Sequence, residues 1–163
     1  MKTIIYSPGD PAGIGPDIFL SLMHEGFFEY IKANVVCMGD KELFHSRSKE
    51  LGYSLEINSF SNINDINEKV GFLEIIKCHD ISSGILNSTN SEYVIENLDF
   101  AIDTCVKKMG FGLVTGPISK ENIIEGGYSF SGHTERIMQK TNSDNVLMSV
   151  SYTHLTLPTN REV

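Results

Sequence analysis

Cysteine is scarce in this 163-residue chain: Cys37, Cys78 and Cys105 are far apart and set in apolar or amphipathic stretches. A secreted disulfide framework usually shows an even count in a short chain, so reduced thiols in a cytosol are the simpler reading. Positive charge is also in short supply. Thirteen Lys and Arg stand against 21 Asp and Glu, a formal net charge of −8 that offers no broad basic surface to nucleic acid or anionic lipid. An anionic small molecule is not excluded, because backbone amides and one or two local cations can hold a phosphate on an acidic protein. No apolar run approaches membrane-spanning length, and the stretch before Pro8 and Asp10 is too short for a signal sequence. The expectation is a soluble, cytoplasmic protein with neither nucleic acid nor membrane as partner. With 40% hydrophobic residues, the length suits one sizeable core.

What is present alternates in type along the chain. Thr3 to Tyr6 is short, β-branched and aromatic and stops at Pro8, Gly9, Pro11 and Gly13, as a buried strand entering a tight loop does. Pro16 suits a first helical turn, and Ile18, Phe19, Leu22 and Met23 follow at helical spacing until Gly26. Val35 to Met38 reads as the next strand, with Asp40 capping a helix that carries Leu43, Phe44 and Leu51. Strands are expected at Ser54 to Ile57 and Gly71 to Ile76, around a polar loop from Ser59 to Asp65. Ser91 to Lys108 carries an i, i+3/i+4 ladder from Val94 to Cys105, with Ser91 as cap and Gly110 as stop. Leu113 to Thr115 is a further strand, followed by a helix after Ser119 and a last strand at Asn145 to Met148. Alternation of this kind predicts an α/β fold, a largely parallel sheet with flanking helices. In such sheets ligands gather at the loops beyond the strands' carboxyl ends.

Two of those loops hold the candidate site residues. Gly9 to Pro16 packs three glycines, two prolines and Asp10 into eight positions. It is either an anion-binding loop at a helix start or a tight structural turn, with Gly13 and Gly15 supplying positive φ or close approach. It is not a dinucleotide fingerprint, because Gly13-Ile14-Gly15 is followed by no third glycine, and no Lys-Ser or Lys-Thr pair makes it a P-loop. Lys120, four residues past Gly116, can contact an anion or stay solvated. His133 and Thr134 sit at a helix entrance after Gly132, where imidazole and hydroxyl can hold a phosphate or hydroxyl, or simply satisfy one another's surroundings.

The segments Gly9 to Pro16, Thr115-Gly116-Pro117-Ile118-Ser119-Lys120 and Gly132-His133-Thr134-Glu135 resemble, in order and position, motifs of the 4-hydroxythreonine-4-phosphate dehydrogenase family. The resemblance covers roughly residues 2 to 149 and is thin from 53 to 90. It implies a fold similar to isocitrate and isopropylmalate dehydrogenases, truncated here, with the cleft completed across a homodimer. It also implies NAD-dependent oxidation of the secondary alcohol of 4-phosphohydroxy-threonine with loss of carbon dioxide, in pyridoxal phosphate synthesis. A divalent metal (Zn, Mg or Co) would polarise the substrate oxygen. By the same resemblance His133 and Thr134 bind substrate and not metal, and NAD binds without the glycine fingerprint.

Family members are about twice this length, with the metal histidines mostly beyond Val150. The expected division is therefore residues 1–150 as an N-terminal portion of the dehydrogenase and 151–163 as a non-native tail. That tail resembles translated sequencing-adapter read-through. It also resembles the family's Thr-His-Leu-Pro-Leu segment, but His154 lies closer to His133 than the family would place it. Two other functions stay open: a non-catalytic module that binds a phosphate ligand, and a related dehydrogenase for another phosphorylated hydroxy acid.

Overall fold

The computed structural model of the chain describes residues 2–144. Its strands are β1 (Thr3–Ser7), β2 (Asn34–Met38), β3 (Ser59–Phe60), β4 (Val70–Leu73) and β5 (Gly112–Thr115). Its helices are α1 (Ile14–His24), α2 (Lys41–Glu50), α3 (Ser91–Val106), α4 (Lys120–Glu125) and α5 (His133–Thr141), with short 3-10 turns at Phe27–Tyr30, Ile63–Asp65 and Ser88–Asn90. The five strands form one sheet in the order β3-β4-β2-β1-β5, every neighbouring pair parallel. The chain steps from β1 outward to β2 and β4, then returns across the sheet to place β5 on the other side of β1. The strand order thus reverses between β1 and β5, the crevice where ligands bind in open parallel sheets.

Strand periodicity sorts the core onto two faces. Ile5, Val36, Met38 and Leu73 form one cluster with Ala101 of α3. Tyr6, Val35, Cys37 and Phe72 belong to a larger one with Phe19 of α1 and Phe44 of α2. Phe19 stands at its centre, with ring centroids 5.0 Å from Tyr6, 5.0 Å from Phe28 and 5.6 Å from Phe72. Such pairs add roughly 0.5–1.5 kcal/mol each beyond the area they bury. The Tyr6 hydroxyl donates to the Gly15 carbonyl at 3.0 Å, so β1 holds the first turn of α1 directly. Burial, with Cys37 adding to it, pushes that phenol up to about 12.

Four expectations are corrected. Residues 54–57 join no ladder; the outermost strand is the two-residue β3, inside the stretch read as a polar loop. Ile57 is buried in the main core, so the apolar pattern there records packing and not pairing. β4 closes at Leu73, three residues early: the Glu74 amide still donates to the Phe60 carbonyl at 3.3 Å, but the chain bends at Ile75 and Ile76, and the Glu74 carboxylate accepts from the Lys41 amide at the start of α2. Ser91 does not cap α3. Its hydroxyl donates to the Asn122 carbonyl at 2.9 Å, tying α3 to α4, while Asn90 precedes the helix with its side chain on the His79 backbone. Gly110 does not stop α3; it is a packing position, where a Cβ would lie 2.7 Å from Ile5 Cγ1 and 3.0 Å from Cys105 Sγ. α3 itself ends at Val106, and Lys108 takes the left-handed turn at φ 60°. The strand expected at Asn145 to Met148 lies outside the described residues.

The close seat of α1 on β1 yields a test. Gly→Ala inside a helix ordinarily stabilises by up to about 1 kcal/mol, but a Cβ at Gly15 would lie 1.8 Å from the Pro8 carbonyl oxygen. Gly15→Ala should therefore destabilise by roughly 2–4 kcal/mol in urea denaturation. Gly112→Ala, where a Cβ meets nothing within 4 Å, should stay within about 0.5 kcal/mol. Equal effects at the two sites would contradict this packing.

Candidate ligand site at the strand-end loops

The loops after β1 and β5 are closed on each other through their main chains. The Gly116 amide donates to the Ser7 carbonyl at 2.7 Å and the Asp10 amide to the Pro117 carbonyl at 3.2 Å. A Cβ on Gly9 would lie 2.2 Å from the Pro117 oxygen, and one on Gly116 would lie 2.1 Å from the Pro8 oxygen. Gly9 also carries the loop's positive φ, 79°. Positive φ is therefore not at Gly13 or Gly15: Gly13 caps α1 in extended backbone with φ −85°, and Gly15 answers to close approach alone. The glycines face protein backbone, and the loop's tight spaces are filled by the chain itself.

Asp10 fastens this junction to its surroundings. It is buried, accepts from the Ala12 amide at 2.9 Å through Oδ1 and from Asn122 Nδ2 at 3.3 Å through Oδ2. Burial raises its carboxyl above the ordinary value, against the lowering effect of those two donors. From the other side Arg47, also buried, donates to the Pro11 carbonyl at 3.1 Å and pairs with Asp17 at 2.9 Å. Neither Asn122 nor Arg47 was legible as a site residue, because each acts across 30 or more positions and neither sits in a spacing pattern.

Asn122 also carries the junction into α4, whose first residue is Lys120. Ser119 caps that helix, accepting from the Asn122 amide at 3.4 Å. Lys120 Nζ reaches the entrance of α5: a Cβ placed on Gly132 would lie 3.5 Å from it and 2.5 Å from Glu135 Oε2. The first residue of α5 is His133, with Thr134 after it in the same turn. The imidazole stands edge-on to buried Phe130, centroids 5.8 Å apart, and its Nε2 is buried with no hydrogen-bond partner. Desolvation first, and the Lys120 ammonium second, hold its pKa below the ordinary value.

The structure thus brings Lys120 and His133 together and sets Asp10, Gly13 and Gly15 into the supporting loop. A buried ring nitrogen without a partner is costly unless a ligand satisfies it. A neutral imidazole can donate to or accept from a ligand oxygen at Nε2, and Lys120 adds a cation suited to a phosphate or carboxylate. Among the described residues no group of three or more His, Cys, Asp or Glu could hold a metal ion. No helix among them is long and apolar enough to cross a membrane.

The depressed histidine has a defined effect on stability. Its folded pKa lies below the ordinary 6.5, so the folded state binds fewer protons than the unfolded one between those values, and unfolding free energy falls as pH drops through that window. Asp10, raised on folding, works with the opposite sign at lower pH, where protonation favours the folded state. Urea denaturation from about pH 7.5 to about pH 5.5 should show wild type losing stability relative to His133→Gln as pH falls. Parallel profiles would contradict the burial of a neutral imidazole.

Comparison with known proteins bears on family and fold. The family model described as pyridoxal phosphate biosynthetic protein PdxA matches residues 31–159. A 4-hydroxythreonine-4-phosphate dehydrogenase from Sodalis glossinidius is 33% identical over 154 residues, 92% of this chain and 46% of that protein. One from Pseudoalteromonas translucida is 32% identical over 152 residues, 91% and 45%. Among solved structures, a 4-hydroxythreonine-4-phosphate dehydrogenase from Burkholderia phymatum superposes with a TM-score of 0.78 at 20% identity, over 89% of this chain and 45% of that one. The enzyme of the same name from Klebsiella pneumoniae gives 0.75 at 21%, over 87% and 45%. The chain spans about half the length of these proteins. With the family model covering most of its length and the fold in agreement, the chain belongs to the PdxA family.

Proposed function

We propose that this chain forms the substrate-capturing portion of an NAD-dependent 4-hydroxythreonine-4-phosphate dehydrogenase of pyridoxal phosphate synthesis, a cytoplasmic homodimer in its full-length form. The observation that carries the reading is the unpartnered, buried Nε2 of His133 beside Lys120, a residue of the helix that follows β5. His133 and Thr134 bind the substrate's polar groups. Lys120 supplies positive charge to its anionic end, and Asp10 keeps the supporting loops in register. A neutral His133 can accept a hydrogen bond from, or donate one to, a substrate hydroxyl without the desolvation cost of a buried imidazolium.

NAD and a divalent metal belong to this reading through the family. The described residues do not fit either group: no cluster of metal-ligating side chains is assembled among them, and the glycine loop is filled by its own backbone. Hydride transfer and decarboxylation would require groups from the other half of the length seen in the relatives. We infer that the chain alone binds the phosphorylated hydroxy acid without turning it over, and that residues 151–163 contribute nothing to that binding.

The test is an NADH-formation assay with 4-phosphohydroxy-threonine, using the 163-residue chain and the uninterrupted reading frame resequenced from its locus. The long form should be active and sensitive to chelator, and the 163-residue chain inactive. His133→Ala in the long form should weaken substrate capture by about 1.5–3 kcal/mol, the cost of one hydrogen bond to a charged group. Unchanged KM and kcat in that variant would sink the site assignment, and robust turnover by the short chain would sink the division of labour.

A further inference from the structure

α5 carries His133 yet is bound to the protein in an unusual way. None of its residues is buried, and its one apolar residue packed against the main core is Ile137. Ionic contacts tie the helix to α3. Arg136 grips Asp99 with both arms of the guanidinium, Nε to Oδ1 at 2.7 Å and the terminal nitrogen to Oδ2 at 2.6 Å. Lys140 reaches Asp103 Oδ2 at 2.9 Å and Asp99 Oδ2 at 3.7 Å. Asp99 and Asp103 are four apart on α3, as Arg136 and Lys140 are on α5, so the two pairs form rungs between facing sides of the helices.

The rungs are not equivalent. The Arg136–Asp99 side chains are 21% and 18% exposed, against 26% and 40% for Lys140–Asp103. A bidentate pair in partial burial is worth more than an exposed point contact. The hydrogen bond to Asp99 is the chief cause that raises Arg136 above its ordinary value. Arg136 also belongs to the turn that bears the ligand group: its amide donates to the Gly132 carbonyl at 3.0 Å, spanning His133 and Thr134.

The geometry points to Asp99 and Arg136 as positioning residues that hold the first turn of α5, and with it His133, in the ligand site. This deepens the site reading above and rests on it. The pair touches no ligand group itself. It fixes the helix whose entrance presents the imidazole to Lys120 of α4, with the carboxylate of Glu135 lying against Gly132. Without it, α5 would keep Ile137 and the outer Lys140–Asp103 rung, both further along the helix than the turn that matters.

The test follows carbethoxylation of His133 in the full 163-residue chain by peptide-resolved mass spectrometry across a pH series. The midpoint reads the imidazole's pKa and the plateau its accessibility. Asp99→Asn should raise the plateau roughly tenfold, the weight of one hydrogen bond to a charged group, and move the midpoint up toward the ordinary 6.5. The sign separates positioning from simple electrostatics. Loss of a carboxylate with α5 in place would leave His133 in a more positive field and move the midpoint down. Arg136→Lys keeps the charge but loses the fork, folds whether or not Asp99→Asn does, and should raise the plateau by a smaller factor. Asp103→Asn should leave both readings near wild type. An unmoved or lowered midpoint with an unchanged plateau in Asp99→Asn overturns the proposal. So does a wild-type plateau in Arg136→Lys, or an Asp103→Asn effect as large as that at Asp99. No substrate enters the assay, so the proposal can fail while His133→Ala still impairs substrate capture, and the reverse.

Discussion

The main-chain hydrogen bonds from Gly116 to Ser7 and from Asp10 to Pro117 bring the ends of β1 and β5 so near that neither loop has room for a Cβ at the contact. The glycine loop and the helix that bears Lys120 are hung from that closure. It fixes where α1 begins, because Gly15 lies under Pro8, and where α4 begins, because Pro117 leads into the Ser119 cap. α4 then sends one side chain inward and one outward. Asn122 returns to Asp10 and stiffens the junction, while Lys120 reaches the entrance of α5. A loosening of the loop contact would shift both at once, since both ride on one short helix.

Two kinds of buried polar group sit within this region, and their difference separates scaffold from site. Asp10 is enclosed but has donors on each carboxylate oxygen, as a structural group in a low-dielectric environment should. His133 is enclosed at Nε2 and has none. The protein is acidic overall, yet the Lys120 ammonium stands near His133, a local arrangement that net charge alone would not have suggested. The helix bearing His133 is held largely by charge pairs to α3 and not by a sunk apolar face. Charge pairs fix direction and register more sharply than apolar contact, which is non-directional.

The elements that sequence reading found well are those whose signals are local. β1, β2, α1, α2 and β5 announce themselves through a short apolar run or a helical ladder closed by a cap or breaker. Asp40 caps α2 as its position suggests, accepting from the Glu42 amide at 2.8 Å. The failures share one cause. Ile57 looked like part of a strand because it is apolar, but it is a core contact from irregular chain. Ser91 looked like a cap because it precedes a helix, but its hydroxyl is taken by α4, far along the chain. In each case a distant partner outbid the local preference.

By itself, the sequence determined the alternation of strand and helix, the parallel sheet, and the short list of residues around which a site could form. Side-chain period and breaker residues act over a few positions and need no knowledge of the fold. Tertiary structure decided which of those residues meet. Asp10, Gly13 and Gly15 went to the supporting loop, and Lys120 was carried to His133 because α4 and α5 both pack beside α3. It also decided what the glycines are for, since whether an absent Cβ faces a ligand or a neighbouring carbonyl depends on a strand more than a hundred residues away. The partners Asn122, Arg47 and Asp99 emerged only there. Their pairing depends on a low local dielectric and on distances of about 3 Å, and neither exists until the chain has closed.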